Sequence, residues 1–173
     1  AFGHPREWKK SGQPSMEAAL GRLFESRYAW RLPEFGGRHG TDLVLLALAD
    51  DYPGDRVAAL IGGLGHMLHA AFDEKTEFFM TDDLDPQKLY NSARNLEIAA
   101  WKLTHARDAG GRLYLLSNEM KPEHNLSFER EFGKMIGNLD LLAAFIADKK
   151  HRSIAKVLQQ VATAMFLPVA ALR

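Results

Sequence analysis

Apolar residues recur every three or four positions along most of this chain, which is the spacing of helices that bury one face. Prolines, glycines and short acidic runs interrupt that spacing where helices are expected to begin or end. The pattern predicts helices at about residues 15–30, 55–80, 86–109, 127–148 and 154–166.

A further helix is predicted at Leu43–Ala49, where every residue is apolar. A helix without a polar face is typical of the centre of a fold, and Thr41 or Asp42 is placed to cap its start. A buried strand is the alternative for so short a run. We prefer the helix because leucine and alanine dominate the segment.

Five or six helices joined by short loops bury their apolar faces best against one another. We therefore expect an all-α, single-domain bundle with the hydrophobic helix Leu43–Ala49 at its centre. Pro5, Gly12 and Pro14 interrupt residues 1–14, which are predicted to form a flexible N-terminal arm, so that residues 15–173 form the bundle domain. For residues 112–126, a helical turn, a short strand and a loop all stay open.

The composition adds limits on function. Apolar residues make up 46% and charged residues 25% of the 173 positions, which is enough for one core. The 22 basic and 22 acidic residues balance, whereas proteins that coat DNA carry a basic excess. The chain has no cysteine, which removes thiolate metal sites and fits a cytoplasmic location. No apolar run approaches the ~20 residues of a membrane span, and the N-terminus does not resemble a signal peptide.

Charge is distributed unevenly along the chain. Residues 1–39 hold 7 basic and 4 acidic residues, residues 40–90 hold 3 and 10, and residues 91–173 hold 12 and 8. An acidic middle between basic ends is either self-complementary, within the fold or between subunits, or simply a solvated surface.

The predicted third helix carries four polar residues on one narrow stripe: His66, His69, Asp73 and Glu77. Imidazole and carboxylate groups are ligands for divalent transition metals, and spacings of three and four residues place them together on a helix. They are therefore candidate ligands for one metal ion, although no cofactor is expected otherwise. The stripe lies opposite the apolar face, so solvent exposure is the simpler interpretation.

Three glycines flank this stripe at positions 62, 63 and 65. Each costs a helix about 1 kcal/mol relative to alanine. Their presence indicates either close approach of another backbone or a ligand, or a kink.

A second candidate site is the glycine-rich loop near residues 27–39, with its arginines and aromatic residues. Arginine beside aromatic rings can hold phosphates and stack bases. The candidate ligands for an anion or a nucleic acid are Arg27, Arg31, Arg38 and His39. The alternative is that Tyr28 and Trp30 end a core helix and the arginines are solvated.

No nucleophile elbow, Walker loop or zinc-protease motif occurs in the sequence. We therefore expect a non-enzymatic protein: a self-associating binding or regulatory module, either a homodimer or bound to another protein. The apolar C-terminal run, residues 161–172, supports this expectation if it docks on a second subunit, although packing within the chain is preferred.

Overall fold

The computed structural model describes residues 7–25, 30–79, 82–115, 127–151, 153–156 and 164–169. These residues form five α-helices and no β-strand, which confirms the predicted all-α class. The helices are α1 (Met16–Leu23), α2 (Gly40–Ala47), α3 (Arg56–Ala71), α4 (Pro86–His105) and α5 (Ser127–Lys149). No helix in this part of the chain has the length and hydropathy that crossing a bilayer requires.

The chain groups into two compact units. The first comprises Ala1–His66 with Lys102–Leu126, and the second comprises Met67–Trp101 with Ser127–Arg173. Helices α3 and α4 therefore contribute residues to both units. The predicted boundary between an N-terminal arm and a bundle domain stays a prediction. Within the arm, Glu7–Ser11 forms a 3-10 helix.

Helix α2 supplies the centre of the first unit. Leu43, Val44 and Ala47 have no exposed surface, so the prediction of a central apolar helix is confirmed. The predicted caps are wrong, because the helix begins at Gly40 and His39 occupies the N-cap position without a side-chain hydrogen bond.

The contact between α2 and α3 depends on a glycine. A Cβ atom added at Gly63 would lie 2.7 Å from the Gly40 carbonyl oxygen and 2.9 Å from the Val44 nitrogen. Real Cβ atoms do not approach backbone atoms this closely, so only glycine allows the two backbones to meet. The expectation that a glycine here admits another backbone is confirmed at Gly63, whereas Gly62 and Gly65 face the side chains of Phe35 and Trp30.

A buried arginine closes the C-terminal end of α2. The Arg56 guanidinium is 7% exposed and donates to the carbonyl oxygens of Ala47 at 2.9 Å, Ala49 at 2.6 Å and Asp50 at 3.3 Å. Its Cζ also lies 4.4 Å from the centre of the Tyr114 ring. The last carbonyl groups of a helix lack partners within it, so Arg56 supplies them from the start of α3.

Asp55 caps the start of α3, as the sequence predicts. Its Oδ1 accepts a hydrogen bond from the Ala58 nitrogen at 3.0 Å, although the residue is only 6% exposed. Burial raises the pKa of this carboxyl above its ordinary value of 3.8, and the Ala58 hydrogen bond opposes the shift in part. The ionised carboxylate therefore carries a desolvation cost in the folded protein.

Replacing Asp55 by asparagine keeps a capping oxygen and removes the charge. Because its folded pKa is raised, the stability that Asp55 contributes is present below about pH 3.8 and is lost as pH rises through the folded pKa. We expect the stability of Asp55→Asn relative to the wild type to increase as pH rises above about 3.8, as measured by urea unfolding at a series of pH values.

Asp108→Asn is the control, because the pKa of this carboxyl is shifted in the opposite direction. A hydrogen bond from the Arg112 nitrogen lowers the pKa of the Asp108 carboxyl. The stability that Asp108 contributes is therefore present above the ordinary pKa and lost as pH falls. If the stabilities of both variants relative to the wild type changed in the same direction with pH, the opposite pKa shifts of Asp55 and Asp108 would be contradicted.

Helices α4 and α5 form most of the second unit. Asp85 caps α4 by accepting a hydrogen bond from the Gln87 nitrogen at 2.8 Å, and Pro86 is the first helical residue, as predicted. The buried apolar residues include Leu89, Ala93, Leu96, Phe132, Leu139, Ala143 and Ile146. The pattern of apolar residues predicts the burial of Leu89, Ala93, Leu96, Phe132 and Leu139, and Ala143 and Ile146 extend the buried face of α5 beyond it.

Amide side chains on α4 hold an extended C-terminal segment. Asn95 is fully buried, donates to the Leu167 carbonyl at 2.8 Å and accepts from the Leu167 nitrogen at 2.6 Å. Asn91 donates to the Pro168 carbonyl at 2.7 Å and accepts from Gln87 at 2.9 Å. These three hydrogen bonds to the segment all use its main-chain atoms.

The predicted sixth helix, residues 154–166, is wrong at both of its described ends. Residues 154–156 and 164–166 are not helical, and the residues between them lie outside the described part of the chain. Gln87 pairs with both the nitrogen and the carbonyl of Ala155, at 2.8 and 3.2 Å. This pairing takes the main-chain groups that a helix would use internally.

Helices α1 and α4 both end earlier than the sequence pattern predicts. Helix α1 ends at Leu23, seven residues before the predicted end, and Trp30 adopts a left-handed backbone with φ of 66°. Helix α4 ends at His105, because the chain then turns back so that the Tyr114 nitrogen bonds to the Ala106 carbonyl.

Candidate functional sites

The C-terminal end of α3 separates the predicted metal ligands. The helix ends at Ala71, so the prediction that it continues to residue 80 is wrong. Asp73 takes a left-handed φ of 54°, the Asp73 nitrogen bonds to the Ala70 carbonyl, and the Glu74 nitrogen bonds to the His69 carbonyl. This is a Schellman motif, which reverses the chain after a helix. Asp73 and Glu77 therefore lie beyond the helix.

His66 is buried, with 5% of its surface exposed, so the prediction of a solvent-facing stripe is wrong at this residue. Arg31 Nε donates to His66 Nε2 at 3.0 Å, and the His39 ring lies 4.7 Å away. His66 is buried because the neighbouring Gly65 has no side chain, which leaves room for Trp30 to pack against α3. Since Nε2 accepts a hydrogen bond, its lone pair is already used.

The other three predicted ligands lie in the second unit. His69 is half-buried, Asp73 forms an ion pair with Lys88 at 2.8 Å, and Glu77 is exposed. Across the described ranges, no group of three or more histidine and carboxylate side chains is arranged to hold a metal ion. The metal hypothesis stays a prediction, and the geometry of these residues adds no support to it.

The structure brings together two of the predicted anion ligands. Arg31 and His39 both lie against His66, at 3.0 Å to its Nε2 and 4.7 Å to its ring centre, and Arg31, Arg38 and His39 are all exposed. Arg27 and Tyr28 lie outside the described residues. Of the aromatic residues, Phe35 is 2% exposed and contacts the position of Gly62, so it serves the core. Phosphate or nucleic-acid binding through this loop stays a prediction.

The outer face of α5 is the feature that the sequence analysis missed. Leu141 is 71% exposed and Phe145 is 65% exposed, although both are large and apolar. At about 100° per residue they lie on the side of the helix opposite the buried Leu139 and Ile146. We call the exposed row along this side the α5 outer face: Arg130, Lys134, Gly137, Leu141, Ala144 and Asp148.

Glycines make part of this face hollow. A Cβ atom at Gly137, or at the neighbouring Gly133, would meet nothing within 4 Å. Each glycine costs a helix about 1 kcal/mol relative to alanine, and no packing within the described chain explains that cost. The spacing of Gly133, Gly137, Leu141 and Phe145, four residues each, is the signal that the sequence offered.

A second exposed apolar row lies on α1, in the first unit. Met16 is 43%, Leu20 is 42% and Phe24 is 60% exposed. The Phe24 ring also packs edge-on against Trp30 at 5.1 Å. This row is shorter and less exposed than the α5 outer face, so it serves below as a source of control substitutions.

Comparisons with protein families, with curated proteins and with solved structures find no match to this chain. Function is therefore inferred from the residues themselves.

Proposed function

We propose that this protein is a non-enzymatic helical module that binds a second copy of itself through the α5 outer face. The observation that supports it is the exposure of Leu141 and Phe145 in the C-terminal half of the 23-residue helix α5. Exposed apolar residues that adjoin in this way typically mark a binding surface. The absence of cysteine supports a cytoplasmic location, which stays a prediction.

The size of the face sets the expected affinity. Residues 130–148 of a helix are about 27 Å long and about 10 Å wide, a footprint below the ~800 Å² per partner of a standard interface. Burial of a leucine or phenylalanine side chain contributes about 1.5–3 kcal/mol, against about 4–15 kcal/mol lost on association. A reversible, concentration-dependent dimer is expected, with micromolar or weaker affinity.

The double variant Leu141→Gln/Phe145→Gln tests the proposal. Glutamine keeps the helix propensity but removes the apolar surface. We expect the wild type to shift from monomer to dimer between about 10 µM and 1 mM, and the variant to stay monomeric, by sedimentation equilibrium.

The matched control is Leu20→Gln/Leu45→Gln, which removes two exposed leucines of the first unit. It should dimerise like the wild type, and circular dichroism should show unchanged helix content in both variants. A wild type that is monomeric at every concentration, or a control that dissociates as completely as the α5 variant, would overturn the proposal.

A further inference from the structure

The positions of the α5 outer face are spaced like those at which two helices pack against each other. Its residues are separated by four, three, four, three and four positions. This is the spacing of the seam of a two-stranded coiled coil. All six residues are exposed and lie in the second unit. The inference drawn from this spacing rests on the proposed function.

The charges on the face distinguish the two possible orientations. Arg130 and Lys134 lie towards the N-terminal end, and Asp148 lies towards the C-terminal end. In a parallel pair each residue meets its own copy, so like charges face one another and repel. In an antiparallel pair Arg130 meets Asp148 of the second copy at both ends.

Side-chain size also favours the antiparallel orientation. A parallel pair places Leu141 against Leu141 and leaves Gly137 facing Gly137 across a gap. An antiparallel pair sets Leu141 of each copy against the hollow at Gly137 of the other, which is how tightly packed interfaces combine large and small residues. Lys134 then faces Ala144, so neither lysine meets another positive charge.

We infer that two copies of α5 pack antiparallel about a twofold axis level with Leu139. Three layers repeat on both sides of the axis: Leu141 on Gly137, Ala144 on Lys134, and Asp148 on Arg130 of the second copy. At about 100° per residue, Phe145 lies on the edge of the seam that also carries Glu131, and it is within about 3 Å axially of Glu131 of the second copy. The charged residues thus select the second copy and its direction.

Reversal of the terminal charges gives the first test. Arg130→Glu and Asp148→Lys should each weaken dimerisation about tenfold, because an exposed pair worth up to about 1 kcal/mol is replaced by repulsion at both ends. The double variant restores opposite charges and should return to within about threefold of the wild type. A parallel pair predicts no weakening by either single change, since one repulsion replaces another.

Crosslinking gives the direction directly, because the chain has no cysteine of its own. Glu131 and Lys149 are exposed beside the same edge of the face. In the antiparallel pair, position 131 lies within about 3 Å axially of position 149 of the second copy, and about 24 Å from its own equivalent. A short bismaleimide should therefore crosslink a mixture of full-length Glu131→Cys and Lys149→Cys proteins, and neither variant alone.

The outcomes separate the two proposals. Crosslinks within the Glu131→Cys sample alone would show a parallel pair and overturn the inference. A dimer that gives no crosslink in any sample would also overturn it, because α5 would not be the contact. A protein that never dimerises fails the proposed function itself, which sedimentation of the unlabelled wild type establishes beforehand.

Discussion

Replacing Arg56 by methionine is expected to lower the free energy of unfolding by about 3 kcal/mol. Methionine retains much of the length and apolar bulk of arginine but donates no hydrogen bond. The carbonyl groups of Ala47 and Ala49 would then be left without the donor that reaches them at 2.9 and 2.6 Å. Thermal unfolding should shift down by about 6–12 °C.

Arg112→Met is the matched control for this change. The Arg112 side chain is 86% exposed and pairs with Asp108 four residues earlier, at 2.9 Å. Exposed pairs of this kind contribute little, so the variant should unfold within about 0.5 kcal/mol of the wild type. Equal losses in the two variants would mean that the carbonyl hydrogen bonds of Arg56 do not stabilise the first unit.

A second large effect is expected at Gly63. The Gly63→Ala variant should lose about 2 kcal/mol of stability, although alanine normally stabilises a helix. Its Cβ would lie 2.7 Å from the Gly40 oxygen and 2.8 Å from a Val44 methyl carbon. Since backbone atoms cannot rotate away, α2 and α3 must separate, which loosens the packing around Val44. Urea unfolding measures the change.

The Gly21→Ala variant, in the same unit, is expected to be more stable than the wild type. Gly21 lies within α1, and an added Cβ would meet nothing within 4 Å. This variant should gain up to about 1 kcal/mol. A stable Gly63→Ala protein would show that the two helices can move apart at little cost.

The starts of α1, α3 and α4 could be predicted from the sequence because capping is local, whereas α2 begins at Gly40 without a side-chain cap. Ser15, Asp55 and Asp85 each accept a hydrogen bond from a nitrogen two or three residues later. An ending that lacks glycine or proline gives no such signal. Helix α3 ends with Asp73 and Glu74 in left-handed conformations, which these residues adopt only rarely.

The candidate sites were less predictable because burial depends on distant parts of the chain. The periodicity placed His66 on a polar stripe, but its exposure is decided by residues 30–40, which pack over the glycines of α3. Conversely, Leu141 and Phe145 stand outside the predicted apolar face of α5 in the sequence alone. Only the folded chain shows that most of their surface is uncovered.

The amide groups of α4 recognise the C-terminal segment by its backbone. Asn95 matches the nitrogen and oxygen of Leu167 as a neighbouring β-strand would, and Asn91 needs only the carbonyl of Pro168, a residue that has no N–H to offer. Because these hydrogen bonds use only main-chain atoms, they do not depend on which side chain position 167 carries, and substitutions there can keep the path of the segment along α4.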